Sequence, residues 1–169
     1  RHGLRSAAPG GWHAPLTVPP MVARELLFPG DALPPSLEAV APGEASDVTA
    51  ASVNARAVAP PGRHMRIVPL IGASGAALDA TAAACAKRSG MDVVRPCAAV
   101  SRDDLAQLLT TSWLRGNSVF LDAQWLPDDN GHDKTVQLLP LPTLPITVFV
   151  GLHDVAQLRR LGPSALPAI

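Results

Sequence analysis

Arg66-Ile67-Val68-Pro69-Leu70-Ile71-Gly72-Ala73-Ser74-Gly75-Ala76-Ala77-Leu78-Asp79 is the stretch on which the reading of this chain turns. Ile67–Ile71 is a continuous apolar run, as expected of a strand buried on both faces. Gly72 and Gly75 supply a turn. The alanine-rich stretch Asp79–Ser89 then reads as a helix stopped by Gly90. A buried strand feeding a tight turn and a helix N-terminus sets free backbone N–H groups at the end of a sheet.

The same pattern repeats downstream. Asp92–Arg95 predicts a second strand. Ser101 and Asp104 open a helix whose apolar face holds Leu105, Leu108, Leu109 and Trp113, and Gly116 stops it. Val119–Leu121 is a third strand ending at Asp122, and Ile146–Val150 a fourth. Val155–Leu161 is a last helix carrying Arg159 and Arg160. Between them, Asp128–Asp133 reads as a polar loop and Lys134–Leu139 as about one helical turn. Strands alternating with helices predict an α/β core with a parallel sheet and right-handed crossovers.

Upstream, residues 1–62 read as an irregular arm and linker ahead of a core at 63–169. Pro19-Pro20 with Met21, Val22, Leu26 and Leu27 predicts a short helix ending near Pro29-Gly30. Asp31 caps a second short helix through Pro34–Val40, with Leu33, Leu37 and Val40 on one side. Residues 41–62 lack a hydrophobic period and read as a linker or long loop.

Composition narrows the function classes. The 169 residues carry 14 basic and 14 acidic side chains. That balance points neither to nucleic acid nor to an acidic membrane surface. No apolar stretch approaches the ~20 residues of a membrane span. Cys85 and Cys97 read as small buried thiols of a reducing cytoplasm rather than a bridge or metal pair. The five histidines show no ligand spacing. Asp128–Asp133 fails as a Ca²⁺ loop, because its glycine comes early and Leu139 stands where the closing glutamate belongs. The start at Arg1 and the end at Ile169 read as those of a fragment.

The loop invites comparison with G-x-x-x-x-G-K-[ST], in which backbone N–H groups and a lysine hold phosphates and a hydroxyl holds Mg²⁺. Gly72, Ala73, Ser74, Gly75 and Ala76 match the turn. Ala77 replaces the second motif glycine, Leu78 the lysine and Asp79 the Ser/Thr. A carboxylate about 4 Å from a phosphate charge is repelled by roughly 4 kcal/mol at an effective dielectric near 20. That offsets several backbone hydrogen bonds at ~1 kcal/mol net each. Asp79 also serves a plainer role, as a first-turn acid complementing the helix dipole. Asp122, at the end of an apolar strand, stands where phosphate-loop enzymes keep a Mg²⁺-side carboxylate, and Ala123 follows where a catalytic acid would lie.

In these respects residues 65–169 resemble the core of an AAA-type ATPase. Gly72–Asp79 is similar to the family's G-P-P-G-T-G-K-T loop, and Leu114–Ala123 to the stretch leading into its second nucleotide motif. Thr147–Gly151 resembles the strand before the sensor position, which Leu152-His153 would occupy without the usual asparagine. Trp12–Val18 followed by Val22, Leu26-Leu27 and Leu33-Pro34 resembles the segment ahead of the degenerate first module in tandem AAA proteins. The resemblance implies a P-loop NTPase-like sheet in which the Ile67–Ile71 strand lies between the fourth and fifth strands, with the fifth strand and the lid domain missing. It implies remnant positions for ATP and Mg²⁺ at Gly72–Asp79 and Asp122, and no hydrolysis. Arg159 or Arg160 would contact a neighbour's nucleotide. The partners implied are an intact second ATPase module and a homo-oligomeric ring in the cytoplasm.

A second resemblance competes. Ile71–Leu78 is also similar to the G-x-x-G-x-x-G loop of short-chain reductases, with the third glycine falling at Leu78, and Asp92–Arg95 supplies a strand after the helix. That reading implies NAD(P) binding. Those reductases use a Tyr-x-x-x-Lys pair, and the chain has no tyrosine.

Overall fold

A computed structural model describes residues 17–43, 62–125 and 143–161. Within them lie three α-helices, α1 (Pro20–Leu27), α2 (Leu78–Lys87) and α3 (Leu105–Leu114). There are five strands, β1 (Leu37–Val40), β2 (Arg66–Ile71), β3 (Val93–Pro96), β4 (Ser118–Leu121) and β5 (Thr147–Leu152). Single 3₁₀ segments cover Arg102–Asp104, Ala123–Trp125 and Val155–Leu161.

The strands form one sheet in the order β1-β3-β4-β5-β2. β3, β4, β5 and β2 are parallel, and β1 joins β3 antiparallel. The chain runs from β2 at one edge across to β3, then steps back through β4 to β5. Right-handed crossovers in opposite directions put their helices on opposite faces. α2 accordingly covers one face, packing on Val68, Leu70, Val93, Phe120 and Phe149. α3 covers the other, through Leu105, Leu108 and Leu109 against Val94, Val119, Leu121, Val148 and Val150. β4 and β5 read as unbroken apolar runs because both faces are covered and successive side chains alternate between them.

Each helix shows why its residues suit its place. α2 presents Ala82, Ala83, Cys85 and Ala86 to the sheet, small side chains that let it lie close over Phe120 and Phe149. Gly90, at φ +69°, lets the chain leave it. α3 buries Leu105, Leu108, Leu109 and Ser112, the i, i+3, i+4, i+7 stripe. Trp113 lies at the border of that stripe and is exposed, not part of the apolar face as its spacing predicts.

The arm departs from the sequence reading. The Pro34–Val40 helix is absent, and Leu37–Val40 is the edge strand β1. Leu37 and Val40 point to opposite faces, one into each core cluster, as residues three apart do in a strand. Pro34 and Pro35 bias the residues before them against α geometry. Trp12, most of residues 41–62, Asp128–Asp133, Lys134–Leu139 and the end at Ile169 lie outside the described residues.

β2 also differs from expectation. Among the described residues its only strand neighbour is β5, and Ile71 is exposed. Arg66 and Gly72 donate N–H to Ile146 and Leu152. By parity Ile67, Pro69 and Ile71 turn their backbone outward. Pro69 therefore forfeits no bond to β5, which is the position an edge strand allows a proline.

Candidate functional site

The site sits where strands β2, β5 and β4 end. In an open parallel sheet ligands bind outside these carboxyl ends. Gly72–Ala77 leaves β2, Gly151-Leu152-His153 closes β5, and Asp122 follows β4. The loop and Asp122 are separated by the width of β5, two strand spacings or roughly 10 Å. The sheet thus brings together the two segments the sequence singled out.

Ala73, Ser74, Gly75, Ala76 and Ala77 are exposed and Gly72 is partly covered. Gly75 has φ +87°, the left-handed conformation that glycine allows. Ala77, at φ −76° and ψ 71°, makes an inverse γ-turn in which Leu78 N–H donates to the Ala76 carbonyl at 2.9 Å. Ala76 N–H donates to Ala73 O, Gly72 N–H to Leu152 O, and Ala80 N–H to Asp79 Oδ1. Four backbone donors of the loop and first turn are thereby engaged within the chain. A phosphate would need such donors free.

Leu78 closes the loop from below. It is buried, and its Cδ2 lies 2.8 Å from where a Cβ on Gly72 would stand, with Cδ1 3.4 Å from the equivalent point on Gly151. Where a phosphate-loop lysine reaches out toward its ligand, this side chain turns inward against the ends of β2 and β5. It joins the core cluster of Phe120 and Phe149. Gly151 is needed for the same packing, since its Cβ would meet Phe120 Cζ at 2.8 Å.

Asp79, half-buried in the first turn of α2, is itself an anion at the helix N-terminus. Its Oδ1 accepts from Ala80 N–H at 2.8 Å and its Oδ2 from Arg95 Nη1 at 3.1 Å. Arg95, on β3, also pairs with Glu38 of β1, Nε and Nη2 each lying 3.1 Å from Oε2. Gly43 presses on the same turn, where an added Cβ would come within 2.9 Å of Ala80 Cβ. The positive end of α2 is therefore served by the chain's own carboxylate and walled by the segment following β1. Nothing local in the sequence marks Arg95, Glu38 or Gly43, because these contacts join residues far apart in the chain.

The remaining candidates are less assembled. Asp122 is exposed, and its carbonyl accepts from Trp125 N–H at 3.0 Å, so it starts the following 3₁₀ turn. His153 is exposed at the end of β5, and its N–H donates to Gln157 Oε1 at 2.8 Å. Arg159 and Arg160 lie on the 3₁₀ segment Val155–Leu161, with their side chains outside the described set. Among the described residues no group of three or more His, Cys, Asp or Glu could hold a metal, and no helix is long and apolar enough to cross a membrane.

Neither cysteine is bridged. Burial pushes the Cys85 thiol above its ordinary range, with Arg88 opposing. Cys97 is not fully buried as its sequence context predicts. Desolvation first, then Glu38 through a hydrogen bond and its charge, also raise this thiol. No family model, curated protein or solved structure matches the chain.

Proposed function

We propose that this chain is a degenerate AAA-type module that does not hydrolyse ATP and that supports the assembly or regulation of an adjoining active ATPase module. The observation that carries the reading is the inward-turned Leu78 beneath Gly72, beside an Asp79 already paired with Arg95. Loop shape is kept while the charge that would hold a phosphate is replaced by packing. Strand order supports it. β2, the first parallel strand, lies against β5, the fourth, which is the neighbour the AAA resemblance implies. In dinucleotide-binding folds the first strand pairs with the second. Here β4 and β5 stand between β2 and β3, which counts against the NAD(P) reading. The ring, the second module and the cytoplasmic setting rest on the resemblance alone.

Thermal unfolding with ATP·Mg²⁺ and with NADPH tests the proposal. Neither is expected to raise Tm by more than a few degrees. A clear rise with ATP·Mg²⁺ contradicts a disabled site, and a rise with NADPH alone discards the AAA reading. Leu78→Lys combined with Asp79→Thr is expected to create ATP·Mg²⁺ binding. No gain in a folded double variant means the turn is not a phosphate loop.

A further inference from the structure

The last turn of α1 ends in Leu26, Leu27 and Phe28, exposed 58, 70 and 75 %. The end of α3 adds Trp113 and Leu114, exposed 41 and 37 %. Arg115 brings these ends together. Its Nε lies 2.9 Å from Glu25 Oε1, and its Nη2 donates to the Gly30 carbonyl at 3.0 Å. Glu25 and Gly30 bracket Leu26–Phe28 in the chain, and Trp113 and Leu114 directly precede Arg115. Five large apolar side chains thus surround one clamp, itself largely buried.

With a full exposure of about 200 Å² per large apolar residue, the patch amounts to roughly 550 Å², the upper end of what monomers expose. A standard protein–protein interface needs about 800 Å² from each partner. The patch is small for pairing two copies by itself. It suits a short segment already tethered beside it, for which a short linker gives an effective concentration on the order of millimolar.

We infer that residues 1–16 of this chain lie over this patch, with Trp12 as the anchoring side chain. They join the described chain at Thr17, just ahead of α1. α1 is about 12 Å long, and Thr17–Pro19 adds at most about 10 Å, so Phe28 lies within about 22 Å of Thr17. Trp12 reaches about 17 Å along five extended residues, and its indole extends several ångströms further. The segment holds Leu4, Trp12 and Leu16 as its large apolar residues, and Gly10-Gly11 just before Trp12 leaves the backbone free to turn. The inference is independent of any nucleotide site.

Hydroxyl-radical footprinting of the full-length chain tests it by reading side-chain exposure at Leu27, Phe28 and Trp113. Trp12→Ala is expected to raise their oxidation several-fold and Trp12→Phe to restore protection, equally at low and high protein concentration. Unchanged Phe120 and Phe149 serve as the control that the core is intact. Equal oxidation of Phe28 and Trp113 in the parent and Trp12→Ala chains overturns the inference. So does protection that grows with concentration alongside a dimer in sedimentation, which assigns the patch to a second copy.

Discussion

The packing of Leu78 against Gly72 makes a sharp prediction, because the two residues compete for one volume. Leu78→Ala removes three buried carbons, about 2.4 kcal/mol at ~0.8 kcal/mol per buried methylene. The site lies at the sheet's end and relaxes in part, so the expected total is about 2–3 kcal/mol, within the range for such truncations. Gly72→Ala alone places a methyl 2.8 Å from Leu78 Cδ2 and 3.1 Å from Ala76 Cβ. Overpacking of that kind costs ~1–3 kcal/mol. In the double variant the leucine branch is gone and the new methyl enters the vacated space, with only Ala76 left to yield. Its destabilisation is therefore expected to fall short of the sum of the single changes by at least ~1 kcal/mol. Urea unfolding of the four proteins measures this. With a slope near ~2 kcal/mol/M, the coupling shifts the double variant's midpoint by about 0.5 M from the additive value. Additivity within ~0.5 kcal/mol would refute the inward placement of Leu78 and the closed loop built on it.

Other consequences are open to direct measurement. Thr147 Oγ1 is buried with no hydrogen-bond partner among the described residues. Thr147→Val keeps the shape without the unsatisfied group and is expected to stabilise by ~1 kcal/mol in the same assay, whereas a loss indicates a partner for the hydroxyl. Arg95→Met severs the pairs with Asp79 and Glu38, whose side chains remain 29 and 49 % exposed. A cost no larger than ~1 kcal/mol is expected, fading in ~1 M salt, and a large salt-independent cost argues against a mainly ionic contact. The Cys97 thiol is raised by desolvation and by Glu38. A raised pKa leaves less thiolate at neutral pH, so alkylation there is slow and accelerates as pH climbs through the raised value. Glu38→Gln is expected to quicken Cys97 alkylation near pH 8, and an unchanged rate removes Glu38 as a cause.

Much of the fold was written locally. The strands at 93–96, 118–121 and 147–152 and the helices at 20–27, 78–87 and 105–114 follow from apolar periodicity and from stops at Gly90 and Gly116. The misreadings share one cause. Leu33, Leu37 and Val40 fit a helical stripe as well as alternate positions around a strand, and pairing with Val93–Pro96 decided for the strand. Pro69 carried a signal that the apolar run around it masked, since a proline inside such a run favours an edge. Trp113 looked like core at i+8, yet the stripe closes on Ser112.

The candidate site divides in the same way. The sequence by itself determined the turn at Gly72–Gly75, the missing lysine and hydroxyl, and an acid at the end of the third parallel strand, because each depends on residue identity at fixed local spacing. Only the tertiary structure decided that Leu78 folds under the loop, that Asp79 is held by Arg95 from β3 and Glu38 from β1, and that β2 takes the sheet's edge beside β5. Those outcomes depend on which strand lies beside which and on which side chains then share a volume. Periodicity along one segment carries no record of either.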